Sequence, residues 1–109
     1  MTTEPKISRP DIYTYLDIRL FLSDIYQHLK KTKAHFSFRT FSSKAGFKSP
    51  NVLKLAIDGK RKLSVASIYK FASALYLNKS EANFFETLVL FSQSQTLKET
   101  IFIFKNYND

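Results

Sequence analysis

Cysteine and tryptophan are missing from this sequence, and only two glycines and three prolines occur in 109 residues. Without cysteine there is neither a disulfide nor a thiolate metal site, and two histidines, His28 and His35, are too few for a convincing metal centre. Sparse glycine and proline argue against a many-turned sandwich and for helices joined by short loops. No apolar run approaches the ~20 residues needed to cross a bilayer. The polar N-terminus does not resemble a signal peptide, so the expected compartment is the cytoplasm. Catalytic patterns are also lacking: no nucleophile stands at recognisable spacing from a base, and there are no paired carboxylates off helix surfaces and no glycine-rich phosphate loop. The expectation is therefore a chain that is not an enzyme and carries no cofactor.

Acidic residues are scarce in one place above all. Between Lys30 and Lys62 ten basic residues stand against one acid, Asp58, a local net charge of +9 in a chain whose total is +8. The flanks together are therefore close to neutral. A solubility device would be spread along the chain, whereas charge focused on one third of it suits a polyanionic partner.

What the sequence does have is aromatic residues, 11 Phe and 6 Tyr, at helical spacing. Ile18, Phe21, Leu22, Ile25, Tyr26 and Leu29 recur at i, i+3, i+4, i+7, i+8 and i+11, predicting a helix from the cap Asp17 to about Lys31, with Leu16 and Phe21 at hydrophobic-staple spacing. A second helix should open at Ser37, with Phe36 and Phe41 as its staple and Phe38, Phe41 and Ala45 inward. Gly46 should close it in the left-handed conformation. Ser49 and Pro50 read as the cap and first position of a third helix, running to about Asp58 and ended by Gly59. On a helical wheel Leu53, Ala56 and Ile57 share one side, Asn51, Leu55 and Asp58 lie roughly opposite, and Lys54 flanks them. After Lys60-Arg61-Lys62, Ser64 caps a helix from Val65 to about Leu77, with Leu63 and Ile68 as a further staple. Ser80 with Glu81 marks the start of a fifth helix carrying Phe84, Phe85, Leu88, Val89, Leu90 and Phe91, apolar over more than half its circumference. Thr96 to Glu99 has capping-box form and can open a last helix, whereas Ile101 to Phe104 is apolar and β-prone.

The reading is an all-α fold, a five- to six-helix helix-turn-helix bundle. Residues 1–10 form a flexible arm in which Lys6 and Arg9 leave minor-groove binding open. Residues 11–97 form the domain, and residues 98–109 a C-terminal apolar tail or the start of a further element.

Phe41 to Phe47, Val52 and Ile57, Gly59 to Ser64, and Ile68 to Leu75 together resemble the Cro/phage-repressor, or XRE-like, DNA-binding domain. Tyr15-Leu16-Asp17, Arg19, Phe21-Leu22, Ser49-Pro50-Asn51, Gly59-Lys60-Arg61, Glu81, Phe84-Phe85 and Leu88-Val89 are similar to the N-terminal domain of a family of predicted bacterial regulators, over about residues 12 to 97. The resemblance implies a repressor-like fold, a recognition helix in the third position and a following loop laid along the DNA backbone. Gly46 and Gly59 stand 13 positions apart, one more than the phage-repressor pattern has, so the contacts carry over as a face and not as a register.

On that face, Ser49, Asn51 and Lys54 are the candidate base contacts: Asn can bond adenine N6 and N7 together, and Lys can donate to guanine O6 or N7. Arg39, Lys44, Lys48, Lys60, Arg61 and Lys62 are the candidate phosphate contacts. The expected partner is double-stranded DNA, bound by a homodimer because one short helix reads only a few base pairs. Phe84, Leu88 and Phe91, with the tail from Ile101 to Phe104, are the candidate dimer surface. An alternative keeps the fold and uses it as a protein-interaction module, antitoxin- or adaptor-like, with the cationic third facing an acidic protein.

Overall fold

A computed structural model describes the backbone of residues 9–108 and the side chains of residues 9–94. The chain is all-α: a 3-10 turn at Ile12–Thr14 precedes α1 (Ile18–Thr32), α2 (Phe38–Ala45), α3 (Val52–Ile57), α4 (Val65–Ala74) and α5 (Lys79–Asn108). No strand occurs among the described residues. The helices form one small bundle, and the first eight residues lie outside the described part.

The helix starts follow from local chemistry. Asp17 accepts from the Arg19 backbone N–H at 2.9 Å, satisfying a donor that the first turn of α1 leaves free. All six residues of the periodic stripe, Ile18 to Leu29, are buried. The proposed Leu16–Phe21 staple does not form: Leu16 is 84% exposed, and Phe21 instead meets the edge of Tyr15 at 5.3 Å between ring centroids. Ser37 and Thr40 make a reciprocal capping box at the start of α2, and there the Phe36–Phe41 pair is present at 6.4 Å. Ser64 accepts from Ser67 N–H at 3.2 Å to start α4.

Three boundaries differ from the sequence reading. α3 begins at Val52, not Pro50, because Ser49-Pro50-Asn51 forms a turn in which the Ser49 hydroxyl accepts from Asn51 N–H at 3.4 Å. α4 stops at Ala74 instead of reaching Leu77. The cap of α5 is Asn78 and not Ser80. Asn78 Oδ1 accepts from Glu81 N–H at 2.8 Å and Glu81 Oε1 accepts from Asn78 N–H at 2.9 Å, while the Ser80 hydroxyl is engaged with that of Tyr13 at 2.7 Å. Thr96 to Glu99 opens no new helix, since α5 runs through it to Asn108.

Burial of apolar area holds the bundle together, each fully buried large side chain contributing about 1.5–3 kcal/mol. Phe21, Phe41, Phe71 and Phe85 are among the largest fully buried side chains. Phe41 and Phe71 meet edge to face at 4.9 Å, tying α2 to α4, and Phe21 and Phe85 stand 6.3 Å apart, linking α1 to α5. α5 turns Phe85, Leu88 and Val89 inward. That corrects the place of Leu88 in the candidate dimer surface, for a residue 4% exposed cannot meet another subunit. Phe84 packs partly buried against Tyr13 at 5.2 Å, leaving Phe91, half exposed, on the outside. The side chains of Ile101 to Phe104 lie outside the described residues. Within the segment expected to fray, Arg9 is held: it donates to both Glu81 carboxylate oxygens, at 2.7 and 3.0 Å, and to Tyr76 O at 3.0 Å.

Candidate nucleic-acid interface

α2 ends with Phe47 N–H bonded to Ser42 O at 2.9 Å and Gly46 N–H to Ser43 O at 3.2 Å. Gly46 sits between them at φ 84°, the left-handed position of a Schellman end. α3 closes in the same way, with Lys60 N–H on Leu55 O at 2.8 Å, Gly59 N–H on Ala56 O at 3.1 Å, and Gly59 at φ 74°. Between the two glycines, α3 buries Val52, Leu53 and Ala56 against the bundle and leaves Asn51, Lys54 and Asp58 exposed. The helix is anchored on one side and open on the other.

The three candidate base-reading residues differ in their engagement. Asn51 makes no side-chain cap bond, so its amide is available. Lys54 pairs with Asp58 one turn on, at 3.1 Å. Both side chains are well exposed, and such i, i+4 surface pairs contribute only about 0.3–0.5 kcal/mol. Ser49 is half-buried and its hydroxyl faces its own turn.

The cations fall into groups organised by aromatic rings. The Arg61 guanidinium lies 5.5 Å from the centre of the Phe47 ring, and Lys70 of α4 shares that ring at 5.3 Å. Phe47 in turn meets the edge of Phe71 at 5.6 Å, so this cationic corner rests on the core. Lys44 is elsewhere. Its ammonium donates to the Tyr76 hydroxyl at 2.6 Å and stands 3.8 Å from the ring centre, and Lys33 reaches the same ring at 4.4 Å. Arg39, Lys48, Lys60 and Lys62 are exposed. Among the described residues the ion pairs are Arg9–Glu81 and Lys54–Asp58, so none of the six candidate phosphate contacts has a carboxylate partner.

Two cations of this surface escaped the sequence reading. Arg19 of α1 donates through Nε to Ile57 O at 2.7 Å, satisfying the last carbonyl of α3. Its guanidinium lies so close to Gly59 that a Cβ there would come within 3.0 Å of it. Lys70 gave no signal because it follows a buried stripe on α4 without breaking it. Tyr76 was not among the candidate site residues. In the structure it holds the left-handed position at the end of α4, φ 64°, with Leu77 N–H on Ala72 O at 3.0 Å and its own N–H on Ser73 O at 3.1 Å. The Lys44 hydrogen bond, aided by the charges of Lys44 and Lys33, lowers the Tyr76 phenol from its ordinary value against the opposing effect of burial.

No group of three potential metal ligands occurs among the described residues, and none of their helices is long and apolar enough to cross a membrane. His28 is half-buried, and burial lowers its pKa. No protein-family model, curated protein or solved structure matches the chain.

Proposed function

We propose that this chain is the sequence-specific DNA-binding module of a bacterial transcription regulator of the XRE-like kind, acting as a dimer on duplex DNA. The observation that supports it most is the juxtaposition on α3 and its borders of exposed hydrogen-bonding side chains, Asn51 and Lys54, with cations that have no carboxylate partner among the described residues. In this reading Asn51 bonds a base edge, Lys54 exchanges its weak Asp58 pair for a guanine acceptor, and Ser49 adjusts in the turn. Arg39, Lys48, Lys60, Arg61 and Lys62 lie along phosphates, with Arg19 and Lys70 as additional candidates and Lys44 at one flank. Six phosphate contacts give a slope of log affinity on log salt of about −5.

Random-site selection with the full chain tests the reading. An enriched motif, lost in Asn51→Ala, is the expected result. Selection without an enriched motif defeats the sequence-specific form, and a gel shift unchanged in Lys60→Glu/Arg61→Glu/Lys62→Glu defeats DNA binding through this loop.

A second reading, a protein-interaction module, draws on a different surface. Leu16, Leu20 and Phe91 are exposed apolar side chains, and Leu16 and Phe91 line one shallow groove with Asp17 and Ser92. In the DNA-binding reading this is where a second subunit would dock. In the alternative it takes a different protein, and the charge-reversed loop leaves DNA affinity as it was.

A further inference from the structure

Among the described residues only two non-glycine residues adopt left-handed backbone, His35 at φ 65° and Tyr76 at φ 64°. They come from opposite ends of the fold's middle, one from the α1–α2 loop and the other from the end of α4. Both line the same cavity of about 230 Å³, together with Lys33 and Lys44. Strained backbone persists only where surrounding structure holds it, and it clusters at ligand sites. Here the strain brings the Tyr76 ring to two ammonium groups, at 3.8 and 4.4 Å from its centre, so the two cations can be no farther apart than those distances combined. Among the described residues no carboxylate lines the cavity. Two like charges drawn together over one phenol, with no acid among those residues to offset them, make a concave and electropositive spot prepared for an anion.

We propose that this cavity binds a phosphoryl group, with the Lys33 and Lys44 ammonium groups on its oxygens and the Tyr76 hydroxyl as a third partner. Its size decides the class. Sites for drug-sized ligands run from about 300 to 1,000 Å³, so 230 Å³ suits a phosphoryl headgroup and is small for enclosing a whole nucleotide. Charge makes the same choice, since a single carboxylate would leave one ammonium unmatched. Charge-assisted N–H···O bonds of about 2.7–2.9 Å from both sides suit a tetrahedral oxyanion. The site does not rest on the DNA-binding reading. Its phosphoryl group comes either from a free phosphomonoester or from a nucleic-acid backbone.

The experiment is a titration of the ¹⁵N-labelled full chain with inorganic phosphate, at ionic strength held constant with chloride. Saturable amide shifts confined to residues 33–36, Lys44 and Tyr76 are expected, absent with chloride alone. Tyr76→Gly retains the turn, as glycine does at the ends of α2 and α3, and should weaken phosphate binding by about tenfold or more, the loss of one charge-assisted contact and of the ring that gathers the lysines. Lys33→Glu/Lys44→Glu should abolish it. Duplex titration then separates the sources. If the double variant loses phosphate but binds duplex with an unchanged salt slope, the natural ligand is a free phosphomonoester. If the slope also drops by about two, the cavity takes backbone phosphates. No saturable phosphate shifts, or shifts of equal affinity in Tyr76→Gly, overturn the proposal whatever the DNA result.

Discussion

α2, α3 and α4 close on the same pair of backbone hydrogen bonds, yet the residue at the left-handed position is glycine in two of them and tyrosine in the third. A Cβ in that conformation costs roughly 1–2 kcal/mol. Where the chain only has to turn, as at Gly46 and Gly59, the cost is avoided. At Tyr76 it is accepted, and the side chain so placed gathers Lys33 and Lys44 around one ring. The difference separates turns that serve the fold from a turn that also serves a surface.

Substitutions can break that comparison, and the largest effect should come from what lies beneath it. Phe71 is fully buried and touches both Phe41 inside α2 and Phe47 just past Gly46. Phe71→Ala should cost about 3–5 kcal/mol in urea unfolding and loosen the Arg61–Lys70 corner with it. Gly59→Ala meets both the backbone penalty and the Arg19 guanidinium at 3.0 Å. Displacing that side chain from Ile57 O adds the loss of a hydrogen bond, for a total of about 2–3 kcal/mol. Gly46→Ala has nothing within 4 Å of the new Cβ, so only the backbone term remains, about 1 kcal/mol. If the two alanine variants lose equal stability, Arg19 has no structural part in the end of α3.

The start of α5 sharpens the comparison from the other direction. The Arg9 hydrogen bond, helped by the Asn78 N–H, lowers the Glu81 carboxyl below its ordinary value in spite of burial. Because the folded pKa is the depressed one, this stabilisation is fully present above the ordinary carboxyl value and disappears as pH falls through the folded one. Urea midpoints between pH 7 and 3 should show the loss, below about 1 kcal/mol for a pair this near the surface. Glu81→Gln should flatten it. The smallest effect is Tyr76→Gly. Relief of about 1 kcal/mol of strain offsets lost cation–π contacts of about 0.5–1 kcal/mol each, leaving the melting temperature nearly unchanged. A large loss would mean that the ring holds the fold and not a site.

Much of the bundle could be read directly. The stripe from Ile18 to Leu29, the caps Asp17, Ser37 and Ser64, and both glycine ends involve residues within about four positions of each other, where helical geometry alone sets who meets whom. The misreadings share a different cause. Leu16 had the spacing of a staple, but Tyr15 took the place against Phe21. Ser80 had the form of a cap, but Tyr13, 67 residues away, engaged its hydroxyl while Asn78 paired with Glu81. Leu88 looked like surplus apolar width on α5 and proved to be core. In the candidate site, Asn51 and Lys54 were legible as exposed from the wheel, whereas Arg19, Lys70 and Tyr76 were not, because their roles come from neighbours on other helices.

By itself the sequence determined an all-α chain, the order and most starts of its helices, and the concentration of cations in its middle third, since each depends on composition or on contacts within a turn or two. Tertiary structure alone decided which rings gather which lysines, that Arg9 is anchored to α5, and that His35 and Tyr76 face one cavity. Those pairings join residues tens of positions apart, and only packing, which brings helices side by side, chooses among the many partners that local spacing leaves open.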